Sequence, residues 1–238
     1  MNRDKGTLYL LPVPLSDGAP FGACITAGEV DVLRRLRYFI VENVRSARRF
    51  LRKADPAFPI DESEFVVLDE HTSPADVPAM IRPLSQGKDI GVISEAGCPA
   101  VADPGADAVA AAQRQGFRVV PLTGPSSLLL ALMASGFNGQ SFAFAGYLPV
   151  EGGARQRRLR EMETRVRREG QTQIFIETPY RNNRLIAELC RVLPGTMLLC
   201  VASDITGPRE SIITRPVSEW AVAEYNYDKV PTIFLLHG

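Results

Sequence analysis

Between residues 7 and 122, short apolar runs without polar alternation trade places with amphipathic segments of helical length, and this alternation narrows the fold more than any other feature. TLYLLPV (7–13), YFIVE (38–42), EFVVLD (64–69), DIGVIS (89–94) and FRVVPL (117–122) read as strands. AGEVDVLRRLRYF (27–39), VRSARRFLRKA (44–54), the proline-started PADVPAMIRPLSQG (74–87) and DPGADAVAAAQRQG (103–116, closed by Gly116) read as helices. Strands with no polar face are buried on both sides. A doubly wound α/β domain is therefore expected, its mostly parallel sheet covered by helices on both faces.

After TGPSS (123–127) the texture changes, with more strands per helix and late connections of hairpin length. SSLLLALMASG, an arginine-rich stretch after residue 151 and NNRLIAELCRVL read as helices. SFAFAGYL, QTQIFIE, TMLLCVASD, ESIITRPV and VPTIFLLHG read as strands. This pattern predicts an α+β domain with a mixed sheet. We place the boundary near residue 122, giving domains 1–122 and 123–238. At 238 residues and 45% apolar content, the chain can fill both cores.

The formal charge is zero, but two basic segments lie within it. From Arg34 to Lys53 eight basic residues face the single acid Glu42, and from Arg155 to Glu169 seven arginines face three glutamates. Such clusters either grip phosphate or carboxylate through the guanidinium fork or simply solvate a helix surface. Cys24, Cys98, Cys190 and Cys200 form no Cys-x-x-Cys pair, which fits free thiols in a reduced, cytoplasmic protein. No apolar run approaches the ~20 residues of a bilayer span. The two histidines, His71 and His237, have no partner at ligand spacing, so no metal is expected. Neither a phosphate-cradling P-loop nor a G-x-G-x-x-G is present, and TGPSS is not a serine-nucleophile elbow.

What remains is three loops at the ends of expected strands: PVPLSDG after the first, SEAGCPAVADPG after DIGVI, and TGPSS after FRVVPL. In open parallel sheets the ligand crevice lies at the carboxyl ends of the strands. Gly97, Gly124, Ala96, Ala100, Ala102, Ser126 and Ser127 would let bare backbone approach a ligand there, although small residues also serve plain tight turns.

At these residues the chain resembles the tetrapyrrole (corrin/porphyrin) methylase family of S-adenosylmethionine-dependent methyltransferases. Within it, the branch of 16S ribosomal RNA ribose 2′-O-methyltransferases is most similar. Ser94-Glu95-Ala96-Gly97-Cys98-Pro99 followed by Ala102-Asp103-Pro104-Gly105 matches the branch's Ser-Asp-Ala-Gly-Thr-Pro and Ser-Asp-Pro-Gly. Thr123-Gly124-Pro125-Ser126 matches its Pro-Gly-Pro-Ser. Phe144, Gly146, Tyr147, Leu148 and Pro149 match Phe-x-Gly-Phe-Leu-Pro, and Glu177 to Arg181 match Glu-Ala-Pro-His-Arg.

The resemblance implies two α/β domains with the donor, S-adenosyl-L-methionine, in a ligand cleft between them, and a homodimer. Carried over by position, donor contacts would come from Leu15, Ala96, Gly97, Cys98, Val101, Ser126, Ser127, Glu177, Asp204, Pro231 and Thr232. It also implies ribosomal RNA of the small subunit as partner, with no membrane and no metal. The chain departs from the branch chiefly on the substrate side. Glu42-Asn43-Val44-Arg45 stands for Glu-Asp-Thr-Arg, Asp69-Glu70-His71 for His-Glu-His, and Asp204-Ile205-Thr206-Gly207 for Glu-Leu-Thr-Lys. The opening loop differs as well, with Val13-Pro14-Leu15-Ser16-Asp17 where the branch has Thr-Pro-Ile-Gly-Asn.

Methyl transfer from a sulfonium is an in-line displacement that depends mainly on placement of the acceptor. A ribose hydroxyl also needs its proton removed. Glu42, Glu95, Asp103 and Glu177 lie near strand ends, and Glu42 with Arg45 are the expected catalytic pair. Two other readings stand beside RNA methylation: methylation of a tetrapyrrole or other small acceptor, and a donor-binding sensor without turnover.

Overall fold

A computed structural model describes residues 5–238, which form two units, the first ending at Ser126 and the second running from Ser127 to Gly238. The first unit contains β1 (Thr7–Leu11), α1 (Phe21–Cys24), α2 (Ala27–Arg35), β2 (Tyr38–Val41), α3 (Val44–Ala54), β3 (Glu64–Val67), α4 (Val77–Met80), β4 (Ile90–Ile93), α5 (Gly105–Arg114) and β5 (Arg118–Pro121). Its five strands are all parallel, in the order β3-β2-β4-β1-β5.

The period of two along each strand divides the core into two layers. Leu11, Phe39, Val41 and Ile93 pack with Leu33 of α2 and Phe50 and Leu51 of α3 on one face. Leu8, Ile40 and Val92 pack with Val77 of α4 and Ala108 and Ala111 of α5 on the other. The expected doubly wound sheet is therefore present. β4 lies between β2 and β1, and its outgoing helix covers the face opposite to theirs, a topological switch at which ligand crevices form.

Two expected helices are corrected. The segment 74–87 is not one helix: α4 is four residues long and a 3-10 turn follows over Arg82–Gln86. Pro83 has no N–H to continue the ladder, and its ring would collide with the carbonyl of Ala79. The helix placed over 27–39 stops at Arg35, where Leu36 turns extended and frees Tyr38 and Phe39 for β2.

The second unit contains α6 (Ser127–Ser135), β6 (Phe142–Tyr147), α7 (Gly152–Glu169), β7 (Thr172–Ile176), α8 (Asn182–Val192), β8 (Leu198–Ser203), β9 (Ser211–Pro216), α9 (Val217–Trp220) and β10 (Thr232–His237). Its sheet is mixed, as expected, with order β6-β7-β10-β8-β9. β6 and β7 run parallel, β10 is antiparallel to both β7 and β8, and β8–β9 is an antiparallel pair. Leu159, Met162 and Val166 of α7 and Ile186 and Leu189 of α8 bury against Phe175, Leu199 and Phe234. Trp220 closes this core, its indole N–H donating to the Leu199 carbonyl at 2.9 Å.

Candidate functional site

The three loops singled out in the sequence converge. Val13, just past β1, and Gly97, past β4, exchange backbone hydrogen bonds of 2.9 and 3.1 Å as an isolated antiparallel bridge. Cys98 Sγ donates to the carbonyl of Pro125 at 3.3 Å, which ties in the loop after β5. Gly97 has φ +73°, and a Cβ there would meet Leu15 Cδ2 at 3.0 Å and the Pro125 oxygen at 3.4 Å. A Cβ on Gly124 would overlap the Pro12 ring. Only glycine allows this approach of the three loops. Leu15, Cys98 and Ser126 are half-buried around it, while Ala96 and Val101 are exposed.

The β4 loop is held in a strained form. Ala100 and Ala102 both adopt left-handed backbone, φ 66° and 63°, at a cost of roughly 1–2 kcal/mol each. Asp103 compensates, its Oδ1 accepting from the N–H groups of Ala100 (2.8 Å) and Gly105 (2.9 Å). That carboxylate holds the turn and is already occupied as an acceptor, which leaves it poorly suited to act as a base. Ser94, at the start of the loop, has a buried Oγ with no hydrogen-bond partner among the described residues.

Glu42 lies beside the same loop. It is half-buried, and its Oε2 accepts from the Glu95 N–H at 3.4 Å. Burial raises its pKa, the Glu95 hydrogen bond lowers it, and the carboxylates of Asp103, Glu95 and Glu70 raise it again. Glu95 is exposed and accepts from Ser46 Oγ at 3.2 Å. Arg45 occupies the first turn of α3, which Asn43 caps by accepting from the N–H groups of Arg45 and Ser46. Its guanidinium is exposed, with no ion pair among the described residues. Asp69, Glu70 and His71 form an exposed turn in which Asp69 accepts from the His71 N–H and the Thr72 hydroxyl.

One group went unnoticed in the sequence. Glu29 of α2 is 1% exposed, and neither carboxyl oxygen has a hydrogen-bond partner among the described residues. Burial pushes its pKa up to about 8, and its charge in turn helps raise the Cys98 thiol, second to burial itself. A glutamate in the first turn of a helix ordinarily signals capping, and nothing in AGEVDVL distinguishes this one.

The remaining candidates belong to the second unit and gather at one end of its sheet. Glu177 follows β7, Asp204 follows β8, and Pro231 and Thr232 begin the antiparallel β10. Thr232 pairs with Ser203, and the Asp204 N–H donates to the Pro231 carbonyl at 3.0 Å. Glu177 is buried, accepts from its neighbour's N–H on Thr178, and pairs with Arg181 at 2.9 Å. Asp204 and Thr206 are left-handed, φ 47° and 65°, and Asp204 Oδ2 accepts from the Arg209 N–H at 2.9 Å. Ser127 opens α6. Among the described residues no three His, Cys, Asp or Glu side chains gather as a metal site, and no helix is long and apolar enough to cross a membrane.

A doubly wound sheet with glycine-lined loops meeting at its switch strand defines an α/β ligand-binding protein. Residues 18–221 match the model of the tetrapyrrole (corrin/porphyrin) methylases, and the chain belongs to that family of S-adenosylmethionine-dependent methyltransferases. It is 31% identical to ribosomal RNA small subunit methyltransferase I of Vibrio cholerae, over 97% of this chain and 77% of that protein. It is 30% identical to the Pseudomonas aeruginosa protein of the same name, over 98% and 79%. Among solved structures, the methyltransferase CobJ superposes with a TM-score of 0.63 at 16% identity, covering 98% of this chain and 94% of the other. Uroporphyrin III C-methyl transferase from Thermus thermophilus gives 0.58 at 17% identity, covering 98% and 97%. These two share the fold.

The residues present fit the family's donor. The exposed main chain of Ala96 and the glycine-only packing of Gly97 on Leu15 offer a small-residue surface that a ligand can approach closely.

Proposed function

We propose that the chain methylates the ribose 2′-hydroxyl of small-subunit ribosomal RNA, with the donor held at the three converging loops. The observation that carries the donor site is the Val13–Gly97 bridge with Cys98 tied to Pro125. It joins the loops that carry Leu15, Ala96, Gly97, Cys98, Val101 and Ser126, the donor contacts that we propose in this unit. Ser127, Glu177, Asp204, Pro231 and Thr232 are the further donor contacts that we propose. The RNA acceptor is supported by relatives named ribosomal RNA small subunit methyltransferase I, each matched along most of both chains.

The bound donor supplies an electrophilic methyl group and a leaving thioether. The chain's own residues place the acceptor and take its proton. We assign the proton to Glu42, whose carboxylate flanks the β4 loop and whose raised pKa brings it nearer the pH at which a base must work. Arg45, exposed beside it, offers a fork to the substrate phosphate or ribose. Exposed arginines along α3 and α7 supply the sequence-independent attraction to RNA. We further propose a cytoplasmic homodimer.

The test is transfer of tritium from labelled S-adenosylmethionine to small ribosomal subunits from a strain lacking this protein, over a salt series. We expect incorporation that falls with salt. Transfer to a tetrapyrrole with none to RNA would overturn the acceptor, and donor binding without transfer to any acceptor would overturn the activity.

A further inference from the structure

On the second unit, α7 and α8 enclose a cavity of ≈ 160 Å³ lined by Arg155, Arg181 and Arg184 against Glu177 and Glu188. That volume is well beyond a single water site. Three guanidinium groups against two carboxylates leave one positive charge. Two arginines are matched: Arg155 Nη2 pairs with Glu188 at 2.8 Å, and Arg181 Nη2 with Glu177 at 2.9 Å. Arg184 is exposed at the mouth and has no ion pair among the described residues.

Arg155 carries a second vacancy. It is 8% exposed, and its Nη1 donates to the carbonyls of Pro149 and Val150 at 3.2 and 3.3 Å. Its Nε is buried and has no partner among the described residues. Immediately before Arg181 stands Tyr180, 75% exposed in the 3-10 turn that leads into α8. An aromatic so exposed, next in the chain to a residue that lines the pocket, is suited to stacking on a nucleobase.

We propose that this pocket binds a phosphodiester group of single-stranded RNA, with Arg184 as the donor, the paired Arg155 and Arg181 as fixed positive charge behind it, and Tyr180 as the stacking face for the adjoining base. The single uncompensated charge matches one phosphodiester. The assignment rests on the RNA reading above and makes the pocket an RNA subsite of the second unit, sharing Glu177 with the proposed donor contacts.

The test is fluorescence anisotropy of a short labelled single-stranded RNA on the full chain, over a salt series. It compares the unaltered protein with Arg184→Gln, Tyr180→Ala and Arg191→Gln, an exposed arginine in the last turn of α8. All three positions are at or near the surface, so folding is retained and is checked by the thermal midpoint. Arg184→Gln should weaken binding severalfold and flatten the log–log salt slope by about 0.7, the share of one phosphate contact on a single strand. Tyr180→Ala should weaken it at least about fivefold with the slope unchanged. Arg191→Gln should leave both unaltered.

No binding by the unaltered protein, or equal binding by Arg184→Gln, overturns the pocket. Displacement of the RNA by inorganic phosphate at constant ionic strength, with no dependence on Tyr180, identifies a free-phosphate site and overturns the RNA assignment. Arg184-dependent binding without methyl transfer to RNA supports the pocket and removes only the methyl-transfer reading.

Discussion

Val13 and Gly97 exchange both of their backbone hydrogen bonds although neither lies in a strand of the sheet. Each follows a different strand, β1 or β4, whose outgoing helices cover opposite faces. The bridge therefore pins together two loops that topology would otherwise send apart, and the proposed donor site depends on that pin.

Gly97→Ala tests it directly. The new methyl would sit at φ +73°, a cost of roughly 1–2 kcal/mol, and press on Leu15 and the Pro125 carbonyl. We expect donor affinity by calorimetry to fall at least about tenfold, with the melting midpoint lowered by only a few degrees. Gly124→Ala should lower the midpoint further, because the Pro12 ring it would overlap is fused to the backbone and cannot swing aside. Unchanged donor affinity in Gly97→Ala would count against the loops as the donor site.

Glu42→Gln separates chemistry from binding. Removing the proposed base should lower kcat by roughly 10²–10⁴-fold while donor affinity stays as it was. In the unaltered protein the rate should rise with pH through the pKa of Glu42, which burial has raised, since only the carboxylate accepts a proton. A pH–rate profile in Glu42→Gln that keeps this acidic limb would exclude the residue as base.

Glu29 makes stability depend on pH in the unusual direction for an acid. Its folded pKa of about 8 lies above the ordinary 4.5, so the folded state holds a proton that the unfolded state has lost. Its contribution is fully present below pH 4.5, declines as pH rises, and is lost by about pH 8, amounting to a few kcal/mol. Glu29→Gln should therefore gain stability relative to the unaltered protein between pH 5 and 8 in urea unfolding. A stability difference that does not vary with pH would contradict this.

Arg155 and Glu188 form a pair that is buried on both sides. Glu188→Ala leaves the guanidinium buried without its partner and should cost about 3–5 kcal/mol in denaturant unfolding. Replacing both, as Arg155→Met with Glu188→Leu, should be neutral or stabilising by comparison. A double-mutant cycle with no coupling would show the pair to be unimportant to the fold.

The first unit was legible because its chemistry is local. Val92 and Ile93 carry no polar alternation, Asn43 stands at a helix start, and Gly97 and Gly124 punctuate the strand ends, so strands, helices and loops could each be read from neighbours in the chain. The helix over 74–87 was misread because apolar spacing was followed past Pro83, whose missing N–H ends the ladder. What could not be read depends on distant pairings. Arg155 looked like one of seven solvating arginines until α8 placed Glu188 against it, 33 residues away. Glu29 shows the reverse case, an acid in an ordinary capping position that tertiary packing deprives of water.

The order β6-β7-β10-β8-β9 also has a bearing on how the second unit is made. β10 supplies the partner for both β7 and β8, yet it is the last of these strands to be synthesised. Until residues 232–237 emerge, the half-sheets β6–β7 and β8–β9 each keep an open edge on the apolar side of Phe175 and Leu199. Such edges pair readily with other chains. The interval between translation of β8 and of β10 is thus the period of greatest exposure to aggregation, when a nascent chain of this protein has most need of a chaperone.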